Sequence, residues 1–495
     1  VPKDLILLLG DMMFPSHEDF PDNAPVFMRE DIGLCTRVRH HQQKIVLYLS
    51  VMRHYAEDLG RRVIYQKLED DGKSYLEALA EVCEKEGVER LHTYTPHDRY
   101  FRDDLRKHCE KNGIKLCEHP SPAFLTPEDA WNGWREGQSG RLAMASFYQH
   151  RRQQTGYLMT KDGKPIGEKY SFDPENREKL PEGHVPPEVP GVEPDEITRE
   201  VIELVKEHFD DHPGNAEQFD WPVTRRQALA RLNKFLDERL DLFGPYEDAI
   251  HTEQSTIYHS VLSPYLNNGL ITPGEVVEKA LDKHENDQVQ LRSIEGYVRQ
   301  IIGWREFIKR VDEEYGENGM DNKNLFGHQR KLNDHWYEGN TGLPPLDDSI
   351  KRVRDHGWAH HIERLMVIGN AMLLCEVQPE EAFNWFMEMF VDSTEWVMAP
   401  NVYGMSQHSD GGFFATKPYV GGSNYIRKMS NYDKGDWCDI WDGLYWRFID
   451  RKRDYLKGNA RMGQMVGTFD KMNKERKADI LSKAEKFIHK VTNTG

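Results

Sequence analysis

Short apolar runs alternate with amphipathic stretches over the first 120 residues. Leu5-Ile6-Leu7-Leu8-Leu9-Gly10 has the continuous apolar character of a buried strand, and His40 to Gly60 places apolar residues at helical spacing before a terminal glycine. The alternation continues with Val63 to Tyr65 as strand, Ser74 to Gly87 as helix, Leu91 to Tyr94 as strand, His97 to Gly113 as helix and Lys115 to Cys117 as strand. This pattern predicts an α/β, Rossmann-like domain over residues 1–130, with a parallel sheet covered by helices on both faces. The loop after Leu9 reads Gly-Asp-Met-Met and there is no G-x-G-x-x-G, so a dinucleotide site in this sheet is unsupported.

Prolines 174, 181, 186, 187, 190 and 194 among acidic residues mark an extended connector, assigned to residues 131–220. Helical periodicity then dominates: Ile197 to His208, Thr224 to Phe243 with Gly244 as its stop, Thr272 to His284 with a Thr-Pro start, Ile294 to Tyr315, Trp358 to Leu374 and Pro379 to Met389. Residues 221–495 are therefore predicted to be an all-α domain. Ala399 to Tyr432 is the exception, because Gly404, Gly411, Gly412, Gly421 and Gly422 among aromatics exclude a regular helix, and such a loop often lines a site.

Composition narrows the class. The 495 residues are 30% charged and carry 65 Lys and Arg against 83 Asp and Glu, a net charge of −18. That total argues against a uniformly basic nucleic-acid binder. It also hides a basic segment, since Arg447 to Lys490 holds 13 Lys and Arg against 6 Asp and Glu. Such a segment is either a solvated helix face or a phosphate-contacting one. Leu5 to Leu9 is too short to span a bilayer and lacks a basic leader, so a cytoplasmic protein without a membrane segment is expected. The six cysteines show no C-x-x-C spacing and are expected to be reduced thiols.

Three segments of the helical part carry candidate chemistry. In Tyr258-His259-Ser260-Val261-Leu262-Ser263-Pro264, hydroxyls at a helix start offer donors for a phosphate, as does any ordinary N-cap. Glu295 to Phe307 contains Trp304-Arg305-Glu306 on an amphipathic helix. In Trp358 to Asn370, His360, His361 and Arg364 lie one helical turn apart, and a buried Arg364 needs a carboxylate for which Asp392 is a natural partner. Eight of the 11 tryptophans lie between residues 304 and 446, which suits core packing and equally suits a planar cofactor or stacked bases.

Taken in order, these segments resemble the photolyase/cryptochrome flavoproteins, and most closely the prokaryotic (6-4) photolyase branch, the iron-sulfur bacterial cryptochromes and photolyases. Further matches to the branch include Leu9-Gly10-Asp11, Met52-Arg53-His54, Ser171-Phe172-Asp173, Asp410-Gly411-Gly412 and Lys417-Pro418-Tyr419. The resemblance implies FAD in the helical domain, with His259, Ser260, Leu262 and Ser263 along its phosphates and with Trp304, Arg305 and Asn401 near it. Arg364 and Asp392 resemble the family's ion pair beside the flavin ring. His361 stands where cyclobutane-dimer enzymes carry Asn and (6-4) enzymes carry His. The implied reaction is light-dependent repair of (6-4) pyrimidine-pyrimidone photoproducts in DNA. Excited reduced FAD donates an electron to a flipped-out lesion and His361 acts as general acid, assisted by His360 and by Tyr419 in the substrate pocket. The alternatives are a blue-light photoreceptor of cryptochrome type and a cyclobutane-dimer photolyase. Trp385, Tyr425, Trp336 and Tyr337 match the electron-transfer chain, and Asp11, Glu30 and Lys44 match the antenna region, which in this branch holds a ribityl-lumazine. A monomer acting on UV-damaged DNA is expected.

The chain departs from the branch in three places. The branch holds a [4Fe-4S] cluster on four cysteines, but residues 341–350 contain none, and Asp433 and Asp436 stand where two ligands belong, leaving Cys438 alone. No metal cluster is therefore expected. Met398 replaces a polar residue near the flavin, and Met12 replaces the usual Gln of the antenna motif.

Overall fold

The structure is a computed structural model that describes residues 3–494, with side chains other than those at 317, 322, 460 and 461. Five parallel strands, β1 (Asp4–Leu7), β2 (Val26–Arg29), β3 (Val63–Gln66), β4 (Arg90–Tyr94) and β5 (Lys115–His119), form one sheet in the order β3-β2-β1-β4-β5. Side chains alternate between its faces. Leu5, Leu7, Phe27 and Leu91 pack on one face with Tyr75, Leu79, Leu105 and Cys109. Ile6, Leu8, Val26 and Met28 pack on the other with Ile45, Leu49 and Val51, in a core that runs on into Leu232, Phe235 and Leu240 of the helical region. The sequence pattern predicts four strands; β2 is added between β1 and β3. It is four residues long, wholly buried and preceded by Pro25, so it shows neither alternation nor length.

The order reverses beside β1, which pairs with β2 on one side and β4 on the other. A crevice forms beyond the C-terminal ends of strands at such a point. Helix Tyr75–Glu86 begins on a reciprocal capping box between Ser74 and Glu77 and ends at Gly87 with φ 66°, where the left-handed conformation favours glycine.

Residues 131–220 hold the helices Met144–Thr155 and Glu196–His208 as well as extended chain. The motif at 171–177 docks on helix Leu291–Val298: Phe172 N donates to Glu295 (2.8 Å) and Asn176 Nδ2 donates to the Arg292 carbonyl (3.0 Å). Among the described residues beyond 200, the only strands are the two-residue pair β6 (Lys331–Leu332) and β7 (Thr492–Asn493). Gly244 does not stop a helix, contrary to expectation. It lies inside helix Leu240–Tyr246, where a Cβ would come within 2.8 Å of the Arg292 carbonyl and Ser293 Cα, so the residue serves close helix approach.

Three helices each contain one wide π turn, at Arg299–Arg305, Glu363–Gly369 and Pro400–Ser406. These are the segments that carry Arg305, Arg364 and Asn401, and such turns concentrate at functional sites. The segment expected to be irregular, 399–432, consists of the third π turn, loop, and helix Ser423–Met429.

Candidate active site

Arg364 and Asp392 form a bidentate pair, Nη1 to Oδ1 and Nη2 to Oδ2 both at 2.9 Å, with 19% and 5% of the side chains exposed. Asp392 Oδ2 also accepts from Ser263 Oγ at 2.5 Å, and its carbonyl accepts from Asn267 Nδ2 at 2.9 Å. Arg305 extends this cluster by donating to Asn267 Oδ1 (2.6 Å) and the Leu266 carbonyl (3.0 Å) while its guanidinium lies 4.8 Å from the Trp396 ring centre. Burial lowers Arg305 to about 10. Ser263, Arg305, Arg364 and Asp392 are thus brought together, with Leu262 buried at the helix start beside them.

Next to this cluster lie the histidines. His259 stacks on His360 with ring centres 4.9 Å apart, and His361 lies at 5.5 Å from His259. Burial pushes His259 down to about 3 and holds His360 well below the usual imidazole range. His361 differs: 44% of its side chain is exposed, and its Nε2 lies 3.2 Å from Asp248 Oδ1. Arg177 lies near both Asp173 and Asp248, with Tyr425 on the Asp248 side and Tyr419 on the Asp173 side.

Phe390 lies under the Arg364 guanidinium at 4.1 Å, and its ring centre is 6.0 Å from that of Trp385. Trp385 Nε1 donates to the Trp336 carbonyl (3.0 Å) and Trp336 Nε1 to the Val491 carbonyl (2.9 Å); both rings are fully buried. Tyr337, half-buried, donates to Glu388 at 2.8 Å. Trp304 is packed against Phe307 in a cluster with Trp131 and Trp134, and Asn401 donates within its own helix to Val397.

The sequence offered little to single out two buried charges that the structure makes prominent. Arg239 is 3% exposed, and its Nε and Nη2 have no partner; burial lowers it to about 10, and Tyr258 and Tyr297 are near it. A buried guanidinium without a carboxylate calls for an anion. Glu247 is raised by burial to about 7 against the opposing pull of Arg299, at 3.1 Å. Charged residues on otherwise apolar helix faces were the only available signal.

A cavity of about 270 Å³ opens at the C-terminal ends of β1, β2 and β4 and is closed by 393–396 of the helical region. Asp11, Glu30 and Lys44 all line it. Glu30 is already satisfied by Arg53 (2.7 and 2.9 Å), Tyr65 (2.7 Å) and Leu68 N (2.8 Å). Asp11 lies 3.3 Å from His97, and Lys44 donates to Ser393 Oγ at 2.9 Å and is lowered by burial to about 7.

Part of the positive charge near the C-terminus is matched in place. Arg447 and Arg451 pair with Glu376 and Glu485, Arg476 and Lys483 with Asp439, and Arg453 with Asp450 and Asp470. Much of the segment therefore binds helices Asp436–Arg451 and Lys474–Val491 together. Arg427 and Lys428, in contrast, are exposed. No helix among the described residues is long and apolar enough to cross a membrane.

The chain is similar to known proteins along its whole length. Residues 6–221 match the family described as deoxyribodipyrimidine photo-lyase-related protein, and residues 280–441 match the FAD binding domain of DNA photolyase. The chain is 33% identical to a (6-4) photolyase of Agrobacterium fabrum over 99% of its own length and 100% of that protein's. A bacterial class III photolyase from Agrobacterium tumefaciens has the same fold, with a TM-score of 0.57, 16% identity and 99% and 98% of the two chains covered. A cryptochrome from Synechocystis gives a TM-score of 0.57 at 12% identity over 99% of each chain. With correspondence along its whole length, the chain belongs to the photolyase/cryptochrome family.

Proposed function

We propose that the protein repairs (6-4) pyrimidine-pyrimidone photoproducts in DNA under blue or near-UV light. The observation that carries this is His361, a half-exposed imidazole at the rim, held by Asp248 one helical turn from the buried Arg364–Asp392 pair.

The residues present fit FAD. The described segments that meet here hold buried polar atoms without partners, among them Arg239 Nε and Nη2, Tyr297 Oη, Asn268 Nδ2 and Arg305 Nε, which suits a long polar ligand threaded between them. Arg239 and Ser260 would hold its diphosphate, and Ser263, Arg305, Arg364 and Asp392 would hold its ring. When bound, FAD supplies a light-driven electron.

The chain's own residues do the rest. The Arg364–Asp392 pair fixes a charge of each sign beside the ring site at no reorganisation cost. His361 delivers a proton to the lesion as its oxygen moves between bases, and Asp248 orients the ring and stabilises the imidazolium form. Tyr419 and Tyr425 border the space a flipped base occupies, and exposed Arg427 and Lys428 meet phosphates. Phe390, Trp385, Trp336 and Tyr337 lead from the ion pair toward the surface as an electron route. The β1–β2–β4 cavity suits a ribityl-lumazine antenna, with Asp11 and Lys44 as its polar contacts. No iron-sulfur cluster is proposed, because Asp433 and Asp436 take two ligand positions; Asp348, in the cysteine-free stretch before the His-His helix, is held by Tyr432 (2.7 Å).

Illumination of the reduced protein with an oligonucleotide carrying a (6-4) lesion, and separately with a cyclobutane dimer, tests the proposal. Turnover of the first is expected, and His361→Ala should abolish it with FAD retained. Turnover of neither would favour a photoreceptor, and turnover of the dimer alone would remove the role of His361.

A further inference from the structure

One ring nitrogen from each of His259, His360 and His361 lies within 4.8 Å of the others, the only such grouping of potential metal ligands among the described residues. Each ring also has one nitrogen set against an oxygen. His259 Nδ1 is 3.2 Å from the Thr256 carbonyl, His360 Nε2 is 3.3 Å from Glu363 Oε2, and His361 Nε2 is 3.2 Å from Asp248 Oδ1. His259 Nε2 and both ring nitrogens of His360 have no hydrogen-bond partner, so Glu363 Oε2 stands beside His360 at ion-pair distance without a formed hydrogen bond. In metal-ligating histidines a carboxylate or carbonyl fixes one nitrogen as N–H while the other presents a lone pair, and an oxygen able to do this stands beside each of the three rings.

We propose that His259, His360 and His361 form a three-nitrogen site for a borderline transition cation such as Zn²⁺, with Glu363 and Asp248 as outer carboxylates, and that occupancy silences repair. Three imidazoles select nitrogen-loving cations over Mg²⁺ or Ca²⁺, which require oxygen ligands. His361 lies at the solvent rim, so the fourth tetrahedral position falls to water. Zinc–nitrogen distances of about 2.0 Å bring the ligand nitrogens closer than they now stand, and rotation about the soft terminal torsions of the rings supplies the closure. Glu363 is fully buried and its other oxygen is held by Arg352 and Ser349, so the outer carboxylate is fixed in advance. Coordination occupies the His361 lone pair that would otherwise carry the transferred proton. That second half of the proposal rests on the repair function; the binding half does not.

The test is calorimetric titration of the FAD-loaded protein with Zn²⁺, followed by repair assays at the same occupancies. One saturable site is expected. His361→Asn, a rim substitution that leaves the core intact, should weaken it at least tenfold, and Glu363→Gln should weaken it about 10- to 100-fold. Mg²⁺ should not compete, and repair should fall with occupancy and return with chelator. Absence of saturable binding, or binding indifferent to His361→Asn, overturns the site. Full repair at full, histidine-dependent occupancy overturns the silencing and the proton-donor role of His361 while leaving the site in place.

Discussion

Asp392→Asn is the substitution whose cost the structure best defines. The carboxylate receives two guanidinium bonds at 2.9 Å and one hydroxyl bond at 2.5 Å, and 5% of its side chain is exposed. An amide keeps one acceptor oxygen, turns a donor toward either Arg364 or Ser263, and leaves the guanidinium without its counter-charge. Breaking one side of a buried pair costs about 3–5 kcal/mol. Arg364 keeps some access to water, so the lower end, about 3 kcal/mol, is expected. Urea unfolding followed by tryptophan fluorescence, with a slope common to all variants, reads this as a midpoint shift. The double variant Arg364→Met with Asp392→Leu should be about 2 kcal/mol more stable than Asp392→Asn, because an apolar pair of similar volume replaces a buried ion pair with little penalty. Flavin retention should fail in both variants. A loss below about 0.5 kcal/mol for Asp392→Asn, or a double variant no more stable than Asp392→Asn, would refute the reasoning.

Other outcomes follow from neighbouring contacts. Lys44 has a folded-state pKa of about 7, below its ordinary 10.5, so its contribution to stability is complete above the ordinary value and lost as pH falls toward 7. Lys44→Met should therefore raise the melting temperature at about pH 7.5 and gain less at about pH 9.5; an equal gain at both would contradict the burial argument. Trp385→Phe should slow light-driven reduction of bound flavin roughly tenfold, equivalent to about 1.4 kcal/mol of barrier, and an unchanged transient-absorption rate would exclude that route. Iron and acid-labile sulfide in the purified protein should both be far below stoichiometric, and four irons per chain would overturn the argument from Asp433 and Asp436.

Periodicity made the layers legible because runs such as Leu5 to Leu9 and helices such as Pro379–Met389 obey one period throughout. It failed at β2, where four buried residues after a proline carry no period, and at Gly244, where a residue type that ends helices serves instead as a contact surface. The site divided in the same way. Arg364 and Asp392 could be paired from the sequence because a buried cation demands an anion, whereas the partner of His361, Asp248, is 113 residues away and only the fold brings it there. Glu363 and Arg239 were hidden for a related reason: a charged residue in a helix reads as solvated until its face is known to be buried. Tyr425 matched an electron-transfer position by motif, and Asp248 and Arg177, which the fold sets near it, were not foreseeable from the sequence.

Each π turn holds one more residue than the α-helix around it, and this constrains how the chain can change in length. Removing one residue from 299–305, 363–369 or 400–406 would restore an ordinary helix there, but would rotate everything on one side of the cut by about 100° and draw it in by about 1.5 Å. Such a deletion turns Arg305 or Arg364 off Asn267 or Asp392 with no change in residue type. Single-residue deletions in these three stretches should thus be purged where substitutions survive, and in any sequence alignment of relatives a gap there marks a protein that has rebuilt its site.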